Sequence, residues 1–282
     1  MRTTAFLVVA LFAFCLAACS NSAPLPPRAA LLNHDGAAAL AAGDLATAEA
    51  RFALAIEYSP RFVEAYVNLG NVELKRGNLD LARRHYTKAR DLNSDLPAPH
   101  HALGLLADER DLGGEAEKHY RMAIKVDPGF LAARTNLARR LYKRRAFDDA
   151  CEQFLRLTEL DAGDLSGWTG LVETFLRLGR EGEADDALAR AREHLGDVTE
   201  LRLLVARQML RRGVYAEAED ELAPLTSDLD HARQGAAWGW IAVARFGRGD
   251  CAGALRAARE AILIDRADPV AAHVVKETGG CR

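Results

Sequence analysis

Cys19 closes a 14-residue apolar run, Ala5 to Ala18, and a proline-bearing stretch, Ser20 to Arg28, follows it. A thiol at such a junction can carry a lipid through a thioether, or it can be an ordinary small residue beside a cleavage site. Cys15 falls inside the apolar run; Cys151, Cys251 and Cys281 lie further on, and in an oxidising compartment two of these can pair. His100 and His101 are adjacent, whereas a helical metal site wants two ligands at i and i+4 on one face, so no metal is expected. Arg134, Arg139, Arg140, Lys143, Arg144 and Arg145 form a basic cluster. It reads as a solvated helix face and turn or, alternatively, as a contact for an acidic partner segment. No glycine-rich phosphate loop, paired metal-ligand motif or nucleophile elbow appears. The chain is therefore expected to be no enzyme and to need no cofactor.

The first element that positions these groups is a leader. Arg2 precedes the apolar run, and the run is shorter than the roughly 20 residues that span a bilayer as a helix. A charged start, a short apolar core and small residues at its end describe an export signal. Leu16-Ala17-Ala18-Cys19 resembles the bacterial lipoprotein signal, in which the cysteine is lipidated, the leader is cut before it and the new amine is acylated. A plain secretory signal is the alternative. The resemblance implies a leader over 1–18 and a lipidated Cys19. One acyl chain holds a protein only marginally, so two or three would be needed for persistent attachment. Ser20, rather than Asp, resembles the outer-membrane class of such lipoproteins. That places the chain at the periplasmic face of the outer membrane. Three prolines make residues 19–28 a non-helical tether, and nine residues reach at most about 30 Å. The formal charge of −3 gives no reason to expect nucleic acid as the main partner.

The second element is a repeat. Ala48, Ala82, Ala116, Ala150, Ala184 and Ala218 recur every 34 residues. Four places after each come Phe52, Tyr86, Tyr120, Phe154, Leu188 and Leu222; three further on come Ala55, Ala89, Ala123, Leu157, Ala191 and Leu225. The unit resembles the tetratricopeptide repeat, whose period is 34. Tyr66, Leu69-Gly70, Gly77, Ala82, Tyr86 and Ala89 carry the likeness in one unit, and His100, Leu103-Gly104, Ala116, Tyr120, Ala123 and Pro128 in the next. The resemblance implies an all-α, right-handed superhelical solenoid of about seven helix–turn–helix repeats over residues 29–268. Repeats are placed at 29–62, 63–96, 97–130, 131–164, 165–198 and 199–232. A seventh, 235–268, follows a two-residue slip at Arg233-Gln234. Asp35 and Arg202 stand where apolar residues are preferred, so the first and sixth repeats are expected to be irregular. Gly43, Gly77, Gly179, Gly213 and Gly249 suit the turns; the fourth repeat has Arg145 there instead. Residues 269–282 are expected to be a capping helix, opened by Pro269, and a cysteine-bearing tail.

The repeat geometry sends one face of each first helix into a concave groove. Val67, Asn68, Asn71, Leu74, His101, Leu105, Asn136, Arg139, Tyr142, Thr169, Glu173 and Arg207 are expected to line it. Such a surface suits an extended peptide or a partner helix. Cys251 opens the second helix of the seventh repeat and Cys281 follows the capping helix, so antiparallel packing predicts a Cys251–Cys281 disulfide with Cys151 reduced. A lipidated, nearly unbroken array also resembles the pilotin lipoproteins of type IV pili, with its most suggestive stretch at Thr135-Asn136-Leu137 through Tyr142 and Phe147-Asp148-Asp149-Ala150. That resemblance implies assistance to the assembly of a secretin. The alternative is a general scaffold for another envelope complex, such as motility or cell-wall machinery.

Overall fold

Alanine and long unbranched side chains favour helix, and the 34-residue period interrupts them with tight turns. The computed structural model describes residues 24–279. Among the described residues every regular element is helical, and they divide between Phe130 and Leu131 into two compact units. The first unit holds three antiparallel pairs: α1 (Pro27–Ala41) with α2 (Leu45–Tyr58), α3 (Val63–Lys75) with α4 (Leu79–Leu92), and α5 (Pro97–Glu109) with α6 (Gly113–Val126). The second holds α7 (Leu131–Lys143), α8 (Phe147–Leu160), α9 (Leu165–Arg177), α10 (Glu181–Leu195), α11 (Thr199–Arg211), α12 (Tyr215–Leu222), α13 (His231–Gly247), α14 (Cys251–Ile264) and a closing α15 (Pro269–Thr278). The expected seven helix pairs and capping helix are all present.

The packing reason for the period is visible in each pair. Ala48, Ala82, Ala116, Ala150, Ala184 and Ala218 are fully buried, which lets two helix backbones approach. The large residue four places on is buried beside it in every repeat. Opposite that large residue stands a small one on the first helix. A Cβ added to Gly36 would lie 2.7 Å from Phe52, one on Gly70 2.2 Å from Tyr86, and one on Gly104 2.5 Å from Tyr120. At the same register the second unit carries Ala138, Val172 and Ala206, with Phe154, Leu188 and Leu222 sixteen places on. Glycine thus faces an aromatic ring throughout the first unit, whereas Phe154 meets Gly170 on α9, where an added Cβ would lie 2.2 Å from the ring.

A second register fixes each first helix to the turn before it. Tyr66 donates its hydroxyl to Pro60 O at 3.4 Å, His100 Nε2 to Ser94 O at 3.1 Å, and Trp168 Nε1 to Ala162 O at 2.9 Å. Each bond spans six residues. The turns after the first helices need a left-handed residue. Gly43, Gly77, Gly179, Gly213 and Gly249 supply it at φ between 73° and 82°, and Arg145 is forced into the same region at φ 65°.

Three boundaries differ from expectation. Pro27 and Arg28 belong to the first turn of α1 rather than to the tether, because Pro at the first helical position removes a donor that has no partner anyway. α13 begins at His231, capped by Asp230, so the seventh pair starts before the expected slip. The sixth repeat is irregular, as expected, but in its second helix: Pro224 converts the end of α12 into a 3₁₀ turn over Ala223–Ser227. Arg202 is accommodated by ion pairs with Asp197 and Glu221. The leader, Cys19 and Cys281 lie outside the described residues. Among the described residues no helix is long and apolar enough to cross a membrane.

Candidate partner-binding site

The first helices of the second unit build a polar face on a rigid support. Asp164 caps α9 by accepting from Ser166 N at 3.0 Å and Gly167 N at 3.1 Å, a contact worth about 1 kcal/mol. Trp168, Leu171, Val172 and Phe175 bury one side of that helix. Spacing of three and four residues then sets Ser166, Thr169, Glu173 and Arg177 along another side. In α7 the buried Leu137, Ala138 and Leu141 leave Arg139, Tyr142 and Lys143 outward. In α11 the buried Leu201, Leu204 and Val205 leave Arg207 and Arg211 outward.

Two adjoining recesses result. One, of about 360 Å³, is lined by Arg139, Tyr142, Lys143, Thr169 and Glu173 among others. The other, of about 350 Å³, is lined by Tyr142, Glu173, Arg177, Arg207, Gln208 and Arg211 among others. Tyr142 packs edge-on against Phe147 with ring centres 5.4 Å apart, and its hydroxyl accepts from Arg177 Nε at 3.1 Å. Arg139 Nη2 donates to Ser166 Oγ at 3.3 Å. Arg207 lies over the Trp240 ring, 5.5 Å from its centre, and 3.8 Å from Glu173. Gln208 is buried, and its Oε1 has no hydrogen-bond partner.

The groove residues of the first unit behave differently. Val67 is buried in the core with Tyr86 and Leu103, and Leu74 packs against that core, so these two hold the fold rather than line a groove. Asn68 Nδ2 donates to Asn33 Oδ1 at 3.0 Å, and Asn33 Nδ2 to Glu64 Oε1 at 3.2 Å. Asn71 accepts the Tyr86 hydroxyl at 2.8 Å. His101 is half-buried with ring centres 5.8 Å from Tyr120 and 5.5 Å from Phe130, and burial holds its imidazole below the ordinary histidine value. Leu105 is half-buried, as is Asn136 on α7 of the second unit. A recess of about 650 Å³ at the α3–α4 turn is lined by turn residues and by Arg110, which is ion-paired to Asp80. It has no part in the first-helix face.

The basic cluster needs one correction. Arg134 is buried and donates to Gln153 Oε1 at 2.9 Å, so it is no part of a solvated face. It occupies the register of Tyr66, His100 and Trp168, which the 34-residue period would have disclosed. The same period would have disclosed Arg177 and Arg211, one and two units after Lys143. Cys151 is a free, buried thiol, as expected, and burial pushes its pKa up. Cys251 opens α14 and carries no free thiol. Among the described residues no three His, Cys, Asp or Glu side chains are grouped to hold a metal ion.

Residues 63–96 match the family model of the tetratricopeptide repeat. No curated protein matches the chain in sequence. Among solved structures, a tetratricopeptide repeat protein from Parabacteroides merdae is similar with a TM-score of 0.60 at 15% identity, over 90% of this chain and 100% of that one. Pseudomonas aeruginosa pilF is similar with a TM-score of 0.60 at 16% identity, over 76% of this chain and 97% of that one. YrrB, described as a TPR protein with an unusual peptide-binding site, is similar with a TM-score of 0.52 at 20% identity, over 68% of this chain and 97% of that one. The matched unit, the seven helix pairs and these likenesses give the chain the all-α solenoid fold of tetratricopeptide-repeat proteins.

Proposed function

We propose that the chain is an outer-membrane lipoprotein, held at the periplasmic face by lipid on Cys19. In this reading it is a protein-binding scaffold that assists assembly of a type IV pilus or a similar secretin-type machine. The observation that carries the reading is the pairing of Leu16-Ala17-Ala18-Cys19 with a repeat array whose first helices present polar side chains that the core does not use. The helix pairs are fully committed to one another through small, buried contacts, so what remains for function is a surface, and repeat grooves are suited to extended segments. The pilotin resemblance of residues 135–150 supports the secretin as the client, and the likeness to pilF is one of fold. YrrB's peptide-binding site supports a bound segment as the mode.

Cys19→Ser tests the anchor and gene deletion tests the client. Labelled palmitate is expected to enter the wild-type chain and not the variant, and the variant is expected to leave the membrane fraction. Deletion is expected to leave secretin subunits monomeric or mislocalised. Normal secretin multimers in the deletion strain would remove the pilus role and favour a scaffold for another envelope machine.

A further inference from the structure

The charge on the second unit's first helices is ordered. Lys143, Arg177 and Arg211 fall 34 residues apart, so they hold one register position on α7, α9 and α11. Arg139, Glu173 and Arg207 hold the position one turn earlier on the same three helices. The lining of the two recesses therefore contains five cations and one carboxylate, on a chain whose formal charge is −3. The carboxylate is already engaged by Arg207. No carboxylate among the described residues lies within ion-pair distance of Lys143, Arg177 or Arg211. After the two-residue slip the equivalent position on α13 is Gly247, which carries no charge. The open row is thus three cations long. These three cations have no carboxylate partner among the described residues, and Arg177 donates only to the Tyr142 hydroxyl, although elsewhere in the same unit arginines are paired to carboxylates.

We infer that this row binds an acidic, extended segment of a partner protein, with carboxylates recurring at every third residue. The inference rests on the scaffold reading above and names its ligand chemistry. Neighbouring first helices meet through Arg177–Tyr142 and Arg207–Glu173, and helices side by side lie about 8–10 Å apart, the separation taken for the three cations. A polyproline II segment advances about 9.3 Å per three-residue turn and returns every third side chain to the same face. Its carboxylates would meet Lys143, Arg177 and Arg211 in turn. Tyr142 and the Trp240–Arg207 stack give apolar surface beside the row. Gln208, buried beneath the row with its Oε1 unpartnered, lines the same recess.

The test uses the full chain purified in detergent and four fluorescein-labelled probes, read by anisotropy at low and high salt. They are a nine-residue peptide of three Glu-Pro-Ala units, its Gln-Pro-Ala and Lys-Pro-Ala analogues, and a single-stranded DNA ten-mer. The acidic peptide is expected to bind at least about ten-fold more tightly than the Gln analogue, and less tightly as salt rises. Lys143→Glu with Arg211→Glu breaks no ion pair and is expected to weaken it by about ten-fold. Arg256→Glu with Arg259→Glu, the same charge change on exposed positions of α14, is expected to change it by less than about two-fold. Arg177→Gln is the second groove variant should the double reversal lose its circular dichroism signal. Equal binding of acidic and Gln peptides overturns the inference and leaves the scaffold reading standing. So does an equal loss in the α14 control. Tighter binding of the DNA overturns the partner class. Failure of every probe overturns the inference, while the scaffold reading still answers to its own secretin assay.

Discussion

Gly70→Ala is the sharpest test of how the repeat is built. A Cβ there would sit 2.2 Å from Tyr86 Cε1, 2.5 Å from Cδ1 and 2.9 Å from Cζ, against an ordinary contact of 3.4–4 Å. The ring cannot turn aside freely: Tyr86 is fully buried and its hydroxyl is held by Asn71 at 2.8 Å. Its centre must shift by roughly an ångström or the helix pair must spread, and overpacking of this kind costs about 1–3 kcal/mol. Alanine gains about 1 kcal/mol over glycine inside a helix. With the ring pinned, the upper part of the overpacking range applies, and the net loss is about 1–2 kcal/mol.

The assay is urea unfolding followed by far-ultraviolet circular dichroism, on Gly70→Ala, Tyr86→Leu and the double variant. Tyr86→Leu alone loses buried aromatic surface and a hydrogen bond worth about 1 kcal/mol. In the double variant the two changes accommodate one another, as the chain already does with Ala206 and Leu222 in one buried cluster. The double variant is expected to be more stable than the sum of the singles by about 1 kcal/mol or more. Gly114→Ala, where nothing lies within 4 Å of the added methyl, is the control and is expected to be neutral or stabilising. A Gly70→Ala protein as stable as wild type, or strict additivity with Tyr86→Leu, refutes the idea that glycine is there to admit the ring.

Arg145→Gly is expected to raise stability by about 0.5–1 kcal/mol, because Arg145 is held at φ 65° where five other turns use glycine; an unchanged or lower urea midpoint would count against this. His85, His101 and His119 are each held below the ordinary histidine value, burial being the main cause. The unfolded chain then binds more protons than the folded one, so stability is whole above the unfolded value of about 6.5 and falls as the pH drops through it. The urea midpoint is expected to be lower at pH 5.5 than at 7.5, and His101→Gln to narrow the difference; an undiminished difference removes His101 from the account. The mature chain without reductant is expected to show no fast thiol toward a disulfide reagent, because Cys151 is buried with a raised pKa, and one thiol after denaturation; three would dissolve the Cys251–Cys281 pairing.

The array was legible because its signal is redundant. Ala82, Tyr86 and Ala89 repeat their spacing at every unit, so each position is stated many times over. The groove was only partly legible, because a first-helix residue has two fates that its type does not distinguish. Val67 and Leu74 turned to the core, and Asn68 and Asn71 were consumed by Asn33 and Tyr86, partners set by packing rather than by local spacing. Arg134 was misread because a run of basic residues was judged by composition; judged by register, it falls where Tyr66, His100 and Trp168 fall, and it is buried as His100 and Trp168 are. Cys251's partner was argued from antiparallel packing alone, and Cys281 lies beyond the described residues.

Register also separates the two units by the chemistry of their first-helix faces. Asn71 and Leu105 hold one register position in the first unit, Arg139 and Glu173 in the second. In the first unit that position is spent internally, on an amide–phenol bond and half-buried leucine. In the second it carries charge, as does the next turn at Lys143, Arg177 and Arg211. A polar group bonded within its own fold would have to break that bond to meet a ligand, at a cost comparable to what it gains. Lys143 and Arg211 are paired to no carboxylate among the described residues, so a ligand carboxylate breaks no ion pair to reach them. Selective contact with a charged partner is therefore expected from the second unit. Substitutions of Asn68 or Asn71 are expected to lower stability and leave peptide affinity unchanged, whereas reversal of Lys143 and Arg211 should do the opposite. Parallel melting and binding curves on the two sets decide it, and a fall in affinity from the asparagine variants without a fall in stability would show that the first unit also meets the ligand.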